Sequence, residues 1–457
     1  MKSNEEMLFA QQKAYFRSGE TRRLPFRKEQ LKKLLSGLKC WEKPLLDALA
    51  ADLGKSPFEG YATEIGLIRE EVRIACRCLG KWAKIRRTAG PLTQFPSSGA
   101  LIPEPKGCTL ILAPWNYPVQ LILAPLVSAI AAGNCAMLAL PEDAPRTSAV
   151  LAEMLGSLYP ETYIAARFGS IEGNTRLLAL PFDHIFFTGS PRVGRIVMAA
   201  AAKNLTPVTL ELGGKSPCIV DKTADIVLAA RRIAWGKCLN AGQTCVAPDY
   251  LFVQESVQAD FLRELEKQAS RLYPGGMNGG EDYPRIVNRK HFDRLSGLME
   301  GQRILFGGEK DSERLQISLA ALDSPAPDSP VMQEEIFGPL LPVIPYRDIE
   351  EVLEFVLDRP KPLALYVFTR DRALSRRIFR EVSFGGGCLN DTIVHLTSHS
   401  LPFGGVGESG MGSCHGKAGF DAFTHLKPVL RRGTWLDLPV RYPPYRGKLG
   451  LLKKLMR

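Results

Sequence analysis

Histidine is scarce, with 6 in 457 residues, and none of the six has the spacing of a metal-ligand set. His395 and His399 stand four apart, but the segment from Thr397 to Pro402 reads as loop, so no metal is expected. The 10 cysteines are scattered from Cys40 to Cys414. Cys76 and Cys78 are separated by a single residue, which fits neither a zinc knuckle nor a redox pair. A disulfide scaffold is excluded, and a reducing, cytoplasmic setting is expected. From Met1 to Glu20 there is no apolar run, so no secretory leader is expected. Low-complexity tracts and short-period repeats are also absent. Acid is lacking at the C-terminal end, where Lys427 to Arg457 holds nine Lys/Arg against Asp437 alone. That segment accounts for +8 of the net +11, so the body is close to neutral. A nucleic-acid partner, which needs a basic face on a folded domain, is not expected.

Charge is missing altogether from Gly107 to Pro141, a run longer than the ~20 apolar residues of a spanning helix. Pro114, Pro118 and Pro125 would break such a helix. A buried strand (Cys108–Ala113), a turn and a buried helix from about Gln120 to Ala132, closed by Gly133 and Asn134, explain the run better.

What is present fits a globular chain, 45% apolar and 23% charged. Residues 20–90 read as helical, with leucines in an approximate stripe from Glu29 to Ala51. Strand candidates Cys108–Ala113, Cys135–Leu140 and Ile185–Thr188 then alternate with helical lengths. A second series follows Glu211: Ile219–Val220, a helix near 224–239, Tyr250–Val253 and a helix near 258–272. Such alternation predicts α/β architecture with mainly parallel sheets. The stretch from Tyr273 to Pro284 and the region from Leu389 to Met411 read as loops.

Six segments could carry chemistry. After Ile185-Phe186-Phe187, Ser190 can cap a helix whose first residue is Pro191, with Gly189 turning beneath it and Gly194 one turn on. Open N–H groups there would attract a pyrophosphate, although a capped helix is more often structure alone. Glu211 in ELGGKSP is a candidate raised-pKa base or a solvated acid. Cys245 in NAGQTC is an accessible thiol or an inert core residue. Asn116 in PWNYP is an oxyanion donor or a satisfied core amide. Glu334-Glu335-Ile336-Phe337-Gly338-Pro339 is an acidic pair before a turn. LPFGGVGESG, containing Phe403, is a glycine-rich loop. Each is ambiguous singly.

Together, in this order, the six segments resemble the aldehyde dehydrogenase superfamily over about residues 5–430, with Glu211 and Cys245 34 residues apart as in that family. The segment DYPRIVN, the run HGKAGFDAFTH and the later YPPY are most similar to its class 3 branch, which takes fatty or aromatic aldehydes. The resemblance implies two Rossmann-type parallel-sheet domains and a small bridging, oligomerising element. These would be a cofactor domain at 1–210 (bridging segment near 87–106), a catalytic domain at 211–395, and a C-terminal part at 396–457. It implies that Cys245 forms a thiohemiacetal and then a thioester, that Asn116 and the Cys245 N–H hold the oxyanion, and that Glu211 activates the hydrolytic water. Gly189, Ser190, Gly194, Trp115, Glu335 and Phe337 would bind the nicotinamide cofactor, and Phe403 and Tyr117 would line the aldehyde pocket. A homodimer is also implied.

One departure bears on the cofactor. Where the family usually has Lys-Pro-Ser-Glu, this chain reads Leu140-Pro141-Glu142-Asp143. An apolar residue replaces the lysine that reaches the adenosine ribose, and an acid would oppose a 2′-phosphate. NAD is therefore expected over NADP, which stays open. The tail, RYPPYRGKLGLLKKLMR, has Leu449, Leu451, Leu452 and Leu455 beside Lys453 and Lys454, so a weak membrane-surface contact stands beside docking on a dimer partner. A thiol esterase or acyl transferase, or a silent binding protein of the same fold, are the alternatives.

Overall fold

The computed structural model describes residues 3–274, 280 and 282–455. Much of the expected loop from Tyr273 to Pro284 lies outside them, as do the first two and last two residues.

The leucine stripe is divided between two helices, Leu24–Cys40 and Glu42–Leu53, which break at Trp41. Pro44 decides the break: it has no N–H to donate, so it is accommodated in the first turn of a new helix and not inside a continuous one. Leu31, Leu34, Leu38, Leu45 and Leu49 are all buried.

The uncharged run folds as a strand Cys108–Leu112, a helix Gln120–Ala132 and a strand Cys135–Leu140. Gly133 ends the helix at φ 95°, a left-handed cap suited to glycine. No helix among the described residues is long and apolar enough to cross a membrane.

Two sheets organise the chain. The first has six strands, in the order Gly410–Met411, Val208–Leu212, His184–Gly189, Cys108–Leu112, Cys135–Leu140 and Ile164–Phe168. All are parallel except the short Gly410–Met411. The second has seven strands and is parallel except at its edge strand Ile304–Phe306, with Tyr250–Gln254 and Pro217–Val220 near its centre. This is the α/β architecture expected. The division expected at 210 falls within Val208–Leu212, which completes the first sheet. A third, antiparallel sheet joins Arg86–Ala89 and Ser97–Pro105 to Thr424–Arg432. Each large sheet has its own apolar core, and Phe403 packs against both.

Candidate active site

Cys245 follows a turn that few sequences could make. The helix Ile226–Cys238 ends, and Asn240, Ala241 and Gly242 take left-handed φ values of 52°, 51° and 73° in succession. For the two non-glycine residues this costs roughly 1–2 kcal/mol each. At Gly242 a Cβ would collide with the Gly338 carbonyl, so glycine is required. Buried hydrogen bonds offset the strain. The Gln243 amide donates to the Asn240 and Arg285 carbonyls and accepts from the Val287 N–H, each at 3.0 Å. The Asn240 N–H donates to Glu59 at 2.9 Å, and its amide donates to the Asn116 carbonyl at 2.8 Å.

Asn116 is held from beneath by an ion pair with no exposed surface. Lys55 Nζ lies 2.6 Å from Glu64 and donates to the Asn116 carbonyl at 3.0 Å. The other Glu64 oxygen accepts from the Val119 and Gln120 N–H groups, where the helix Gln120–Ala132 starts. One Asn116 amide N–H donates to the Gln243 carbonyl at 3.0 Å. Tyr117 shares a 2.7 Å hydrogen bond with Thr244, next to Cys245.

Tyr117 and Cys245 thereby come together, with Asn116 bound to Gln243 two positions before Cys245, and the first sheet brings Glu211 to the Tyr117–Cys245 pair. Tyr117, Glu211, Cys245 and Phe403 line one cavity of ≈ 190 Å³ whose other walls, including Leu121 and Trp235, are mostly apolar. Glu211 is 4% exposed, and among the described residues neither carboxylate oxygen has a hydrogen-bond partner of ordinary geometry. Burial therefore pushes its acid well above the usual carboxylate range, with the neighbouring Cys414 thiol opposing the shift. Burial also raises the Cys245 thiol, helped by the negative charges of Glu335 and Glu211, while the N–H groups of Cys245 and Val246 favour the thiolate.

Glu335 lines a second cleft, with Phe337 two positions on. Phe337 has φ 50° and meets Trp115 edge-on, ring centroids 5.5 Å apart. The Ile336 N–H donates to Asp249 at 2.9 Å, and Lys215 ties Asp249 to the Val331 and Glu334 carbonyls. Glu335 packs so closely on Gly213 that a Cβ there would collide with its carboxylate. Burial first, and then Asp249, push the Glu335 acid up to about 8, against the Gly214 N–H, Lys215 and Arg294. Its Oε1 has no partner among the described residues. The cleft, ≈ 470 Å³, runs from Glu335 past Gly213 to Pro191. Ser190 caps the helix Pro191–Ala202, its hydroxyl accepting from the Val193 N–H at 3.4 Å. A Cβ at Gly189 would strike the Phe187 ring, and one at Gly194 would strike Leu212. Both glycines therefore have packing reasons as well as the binding role expected of them.

Leu140 is buried, and its carbonyl accepts from the Gly169 N–H at 2.7 Å. Glu142 and Asp143 are exposed, with Asp143 accepting from Asn288 at 3.0 Å.

Residues 3–429 match the model of the aldehyde dehydrogenase family. The chain belongs to that family. It is 46% identical over 454 residues, 99% of each chain, to 4,4'-diaponeurosporen-aldehyde dehydrogenase of Staphylococcus aureus. Identity to aldehyde dehydrogenase family 3 member A2 of Mus musculus is 45% over 431 residues, 94% of this chain and 89% of the relative. Among solved structures, a substrate-bound state of Staphylococcus aureus AldH superposes with a TM-score of 0.98 at 46% identity, covering 100% of both chains.

Within this family frame, the supports of the site are what the sequence reading missed: Lys55, Glu64, Glu59 and the Gln243 side chain. No local pattern marks a lysine or an acid in a helical region as the partner of a backbone carbonyl 61 positions away.

Proposed function

We propose that the protein oxidises aldehydes to carboxylic acids with a nicotinamide cofactor, through a thioester on Cys245. The observation that carries the proposal is one apolar cavity in which a thiol and an unpartnered buried carboxylate both stand. The Cys245 thiolate adds to the aldehyde carbon, giving a thiohemiacetal. The second Asn116 amide N–H and the Cys245 backbone N–H stabilise the oxyanion, a donor of this kind being worth ~3 kcal/mol. The bound cofactor supplies the hydride acceptor that makes this chemistry an oxidation. Glu211, ionised, takes a proton from water as that water attacks the thioester carbon, and Cys245 leaves as thiolate. A carboxylate raised by burial is a better base than a solvated one.

Glu335 in the second cleft, the Phe337–Trp115 ring pair and the start of the helix Pro191–Ala202 fit the cofactor. Glu335 Oε1 is an orphaned buried acceptor suited to ribose hydroxyls, Phe337 and Trp115 offer ring surface, and the helix start at Gly189, Ser190 and Gly194 offers N–H groups to a pyrophosphate. At the adenosine end, exposed Glu142 and Asp143 favour NAD over NADP. The apolar lining and the class 3 relatives support medium- or long-chain aliphatic or aromatic aldehydes. We place the enzyme in the cytoplasm as a homodimer. Its tail helix Leu449–Leu455, with Leu449 and Leu451 exposed, makes a weak contact with anionic membrane surfaces.

The test is absorbance at the reduced-nicotinamide band, with NAD or NADP and aldehydes of increasing length. NAD-dependent product is expected and is lost in Cys245→Ala. Aldehyde turnover without cofactor, or no reduced nicotinamide over the whole panel from folded protein, would overturn the reading.

A further inference from the structure

One wall of the Cys245 cavity is a surface segment held in place by a single buried acid. Ile393, Val394, Leu396 and Thr397 line the cavity, and the short helical turn Val394–Thr397 leaves Val394 and Thr397 partly open to solvent. From Leu396 to Pro402, the contact of His399 with Glu71 is the only hydrogen bond that leaves the segment among the described residues. His399 Nδ1 lies 2.7 Å from one Glu71 oxygen, and the other Glu71 oxygen accepts from the Gly416 N–H at 2.7 Å. A Cβ at Gly416 would strike the His399 carbonyl, so the two segments are also packed tightly on each other. Glu71 is buried on the helix Gly66–Trp82. It therefore joins three pieces: its own helix, the cavity wall that ends at His399, and the start of the helix Gly416–Ala422. The Phe403 ring neighbours both His395 and His415, centroids 6.2 and 5.6 Å away, so the same carboxylate ties down the segments on either side of it. Glu71 and His399 line a space of only ≈ 10 Å³, and Leu67, Gln120, Leu396 and Thr397 line both that space and the cavity. It has room for about one water at most. Burial alone would raise the Glu71 acid, but the His399 hydrogen bond, His415 and the Gly416 N–H together hold it below its usual range.

We propose that His399, paired with Glu71, is a positioning residue for aldehyde selection: the pair clasps residues 393–397 against the helix Gly66–Trp82 and so holds the apolar wall that grips the tail of a long aldehyde. The proposal rests on the reading of the Cys245 cavity as the aldehyde site. The clasp acts on binding and not on the chemical steps, because neither side chain lines the Cys245 cavity. A short aldehyde held at Cys245 leaves most of that wall untouched. Each further methylene adds apolar burial against it, which is lost when the wall loosens.

His399→Ala and His399→Asn test this at saturating NAD with propanal and decanal. In His399→Ala the KM for decanal should rise by about threefold to tenfold, as loss of one charge-assisted hydrogen bond allows. The kcat with decanal, and both constants with propanal, should change less than about twofold. His399→Asn, whose amide N–H can take the place of Nδ1, should recover most of the loss. An unchanged KM for decanal, an equal rise for both aldehydes, a fall confined to kcat, or an Asn variant no better than Ala overturns the proposal. Hydrogen exchange in the cofactor-free protein is the second measurement. Amides of residues 393–401 should exchange about threefold to tenfold faster in His399→Ala, while those of the strand Cys135–Leu140 keep their protection. Unaltered exchange at 393–401 also overturns the proposal. Absence of reduced nicotinamide from wild type with either aldehyde would instead sink the dehydrogenase reading, and the exchange rates would still judge the clasp.

Discussion

The two ends of the active-site region are built on opposite plans. Around Cys245, three successive left-handed residues are locked by the buried side chains of Gln243, Asn240 and Glu59, and the Lys55–Glu64 pair fixes Asn116 from below. At the end proposed for the adenosine, Leu140 is simply core, and Glu142 and Asp143, next along the chain after Pro141, stand exposed. The reacting end is over-determined because catalysis needs atoms held within fractions of an ångström. The adenosine end is loosely specified, so it can be altered at little cost to the fold. Substitutions should therefore do most damage near Cys245 and fade toward the periphery.

Cys245→Ala gives the largest effect. With no nucleophile, formation of reduced nicotinamide should fall by at least about 10⁴-fold, while the thermal unfolding midpoint changes little. Glu211→Gln comes next. It should keep the first-turnover burst but slow steady-state turnover by about 10²–10⁴-fold. The pH dependence has a definite sign. The Glu211 acid is raised by burial, so wild-type turnover should be lost as pH falls through a midpoint above the usual carboxylate range, and that limb should vanish in the Gln variant. Linkage runs the other way for stability. A carboxyl raised on folding stabilises the protonated folded state at low pH, and that contribution is lost as pH rises through the folded midpoint. The melting temperature of Glu211→Gln should therefore overtake wild type progressively as pH increases.

Gln243→Ala tests whether the rigidity itself matters. It removes both amide donations and the acceptance from Val287 in a fully buried setting. An unfolding free energy lower by roughly 2–4 kcal/mol in denaturant titration is expected. Turnover should drop with it even where the protein stays folded.

Why these residues were invisible in the sequence follows from the same contrast. Local signals were legible: the helix Gln120–Ala132 closed by Gly133, the strand Cys135–Leu140, and the Ser190 cap all obey short-range rules of capping and periodicity. The break at Trp41 is local too, with Pro44 in the first turn of the second helix, but the leucine stripe runs across it and does not mark it. The gathering of Cys245, Glu211 and Asn116 was legible only through resemblance to a family. Lys55 under Asn116, or Glu71 beside His399, are pairings between distant segments. Residue type and spacing carry no mark of them.

The adenosine end should respond more gently. Glu142→Lys exchanges an exposed acid for a cation near the site where the family's lysine usually stands, without disturbing the buried Leu140. NADP should gain roughly threefold to tenfold in kcat/KM relative to NAD, as one solvent-screened charge reversal allows. No change in that ratio would mean that Glu142 does not face the ribose. The melting temperature should stay within about 1–2 °C of wild type, unlike that of Gln243→Ala.

The smallest effect on turnover is expected at the tail, farthest from the chemistry. Leu449, Leu451 and Leu452 are exposed beside Lys453 and Lys454, so the segment can lay apolar side chains into a headgroup region while its lysines meet anionic lipid. Each cation near such a surface is worth about 1 kcal/mol, screened by salt. Co-sedimentation with phosphatidylglycerol vesicles should therefore be weak, fall steeply between low and physiological salt, and drop about fivefold to thirtyfold in the double variant Lys453→Glu, Lys454→Glu. Phosphatidylcholine vesicles should not retain the protein. Equal sedimentation with both lipids would remove the electrostatic argument. A switch from dimer to monomer in the double variant, seen by sedimentation velocity, would assign the tail to a subunit contact instead. Either result would still leave turnover of a short, water-soluble aldehyde near wild type, because no described tail residue lines the Cys245 cavity.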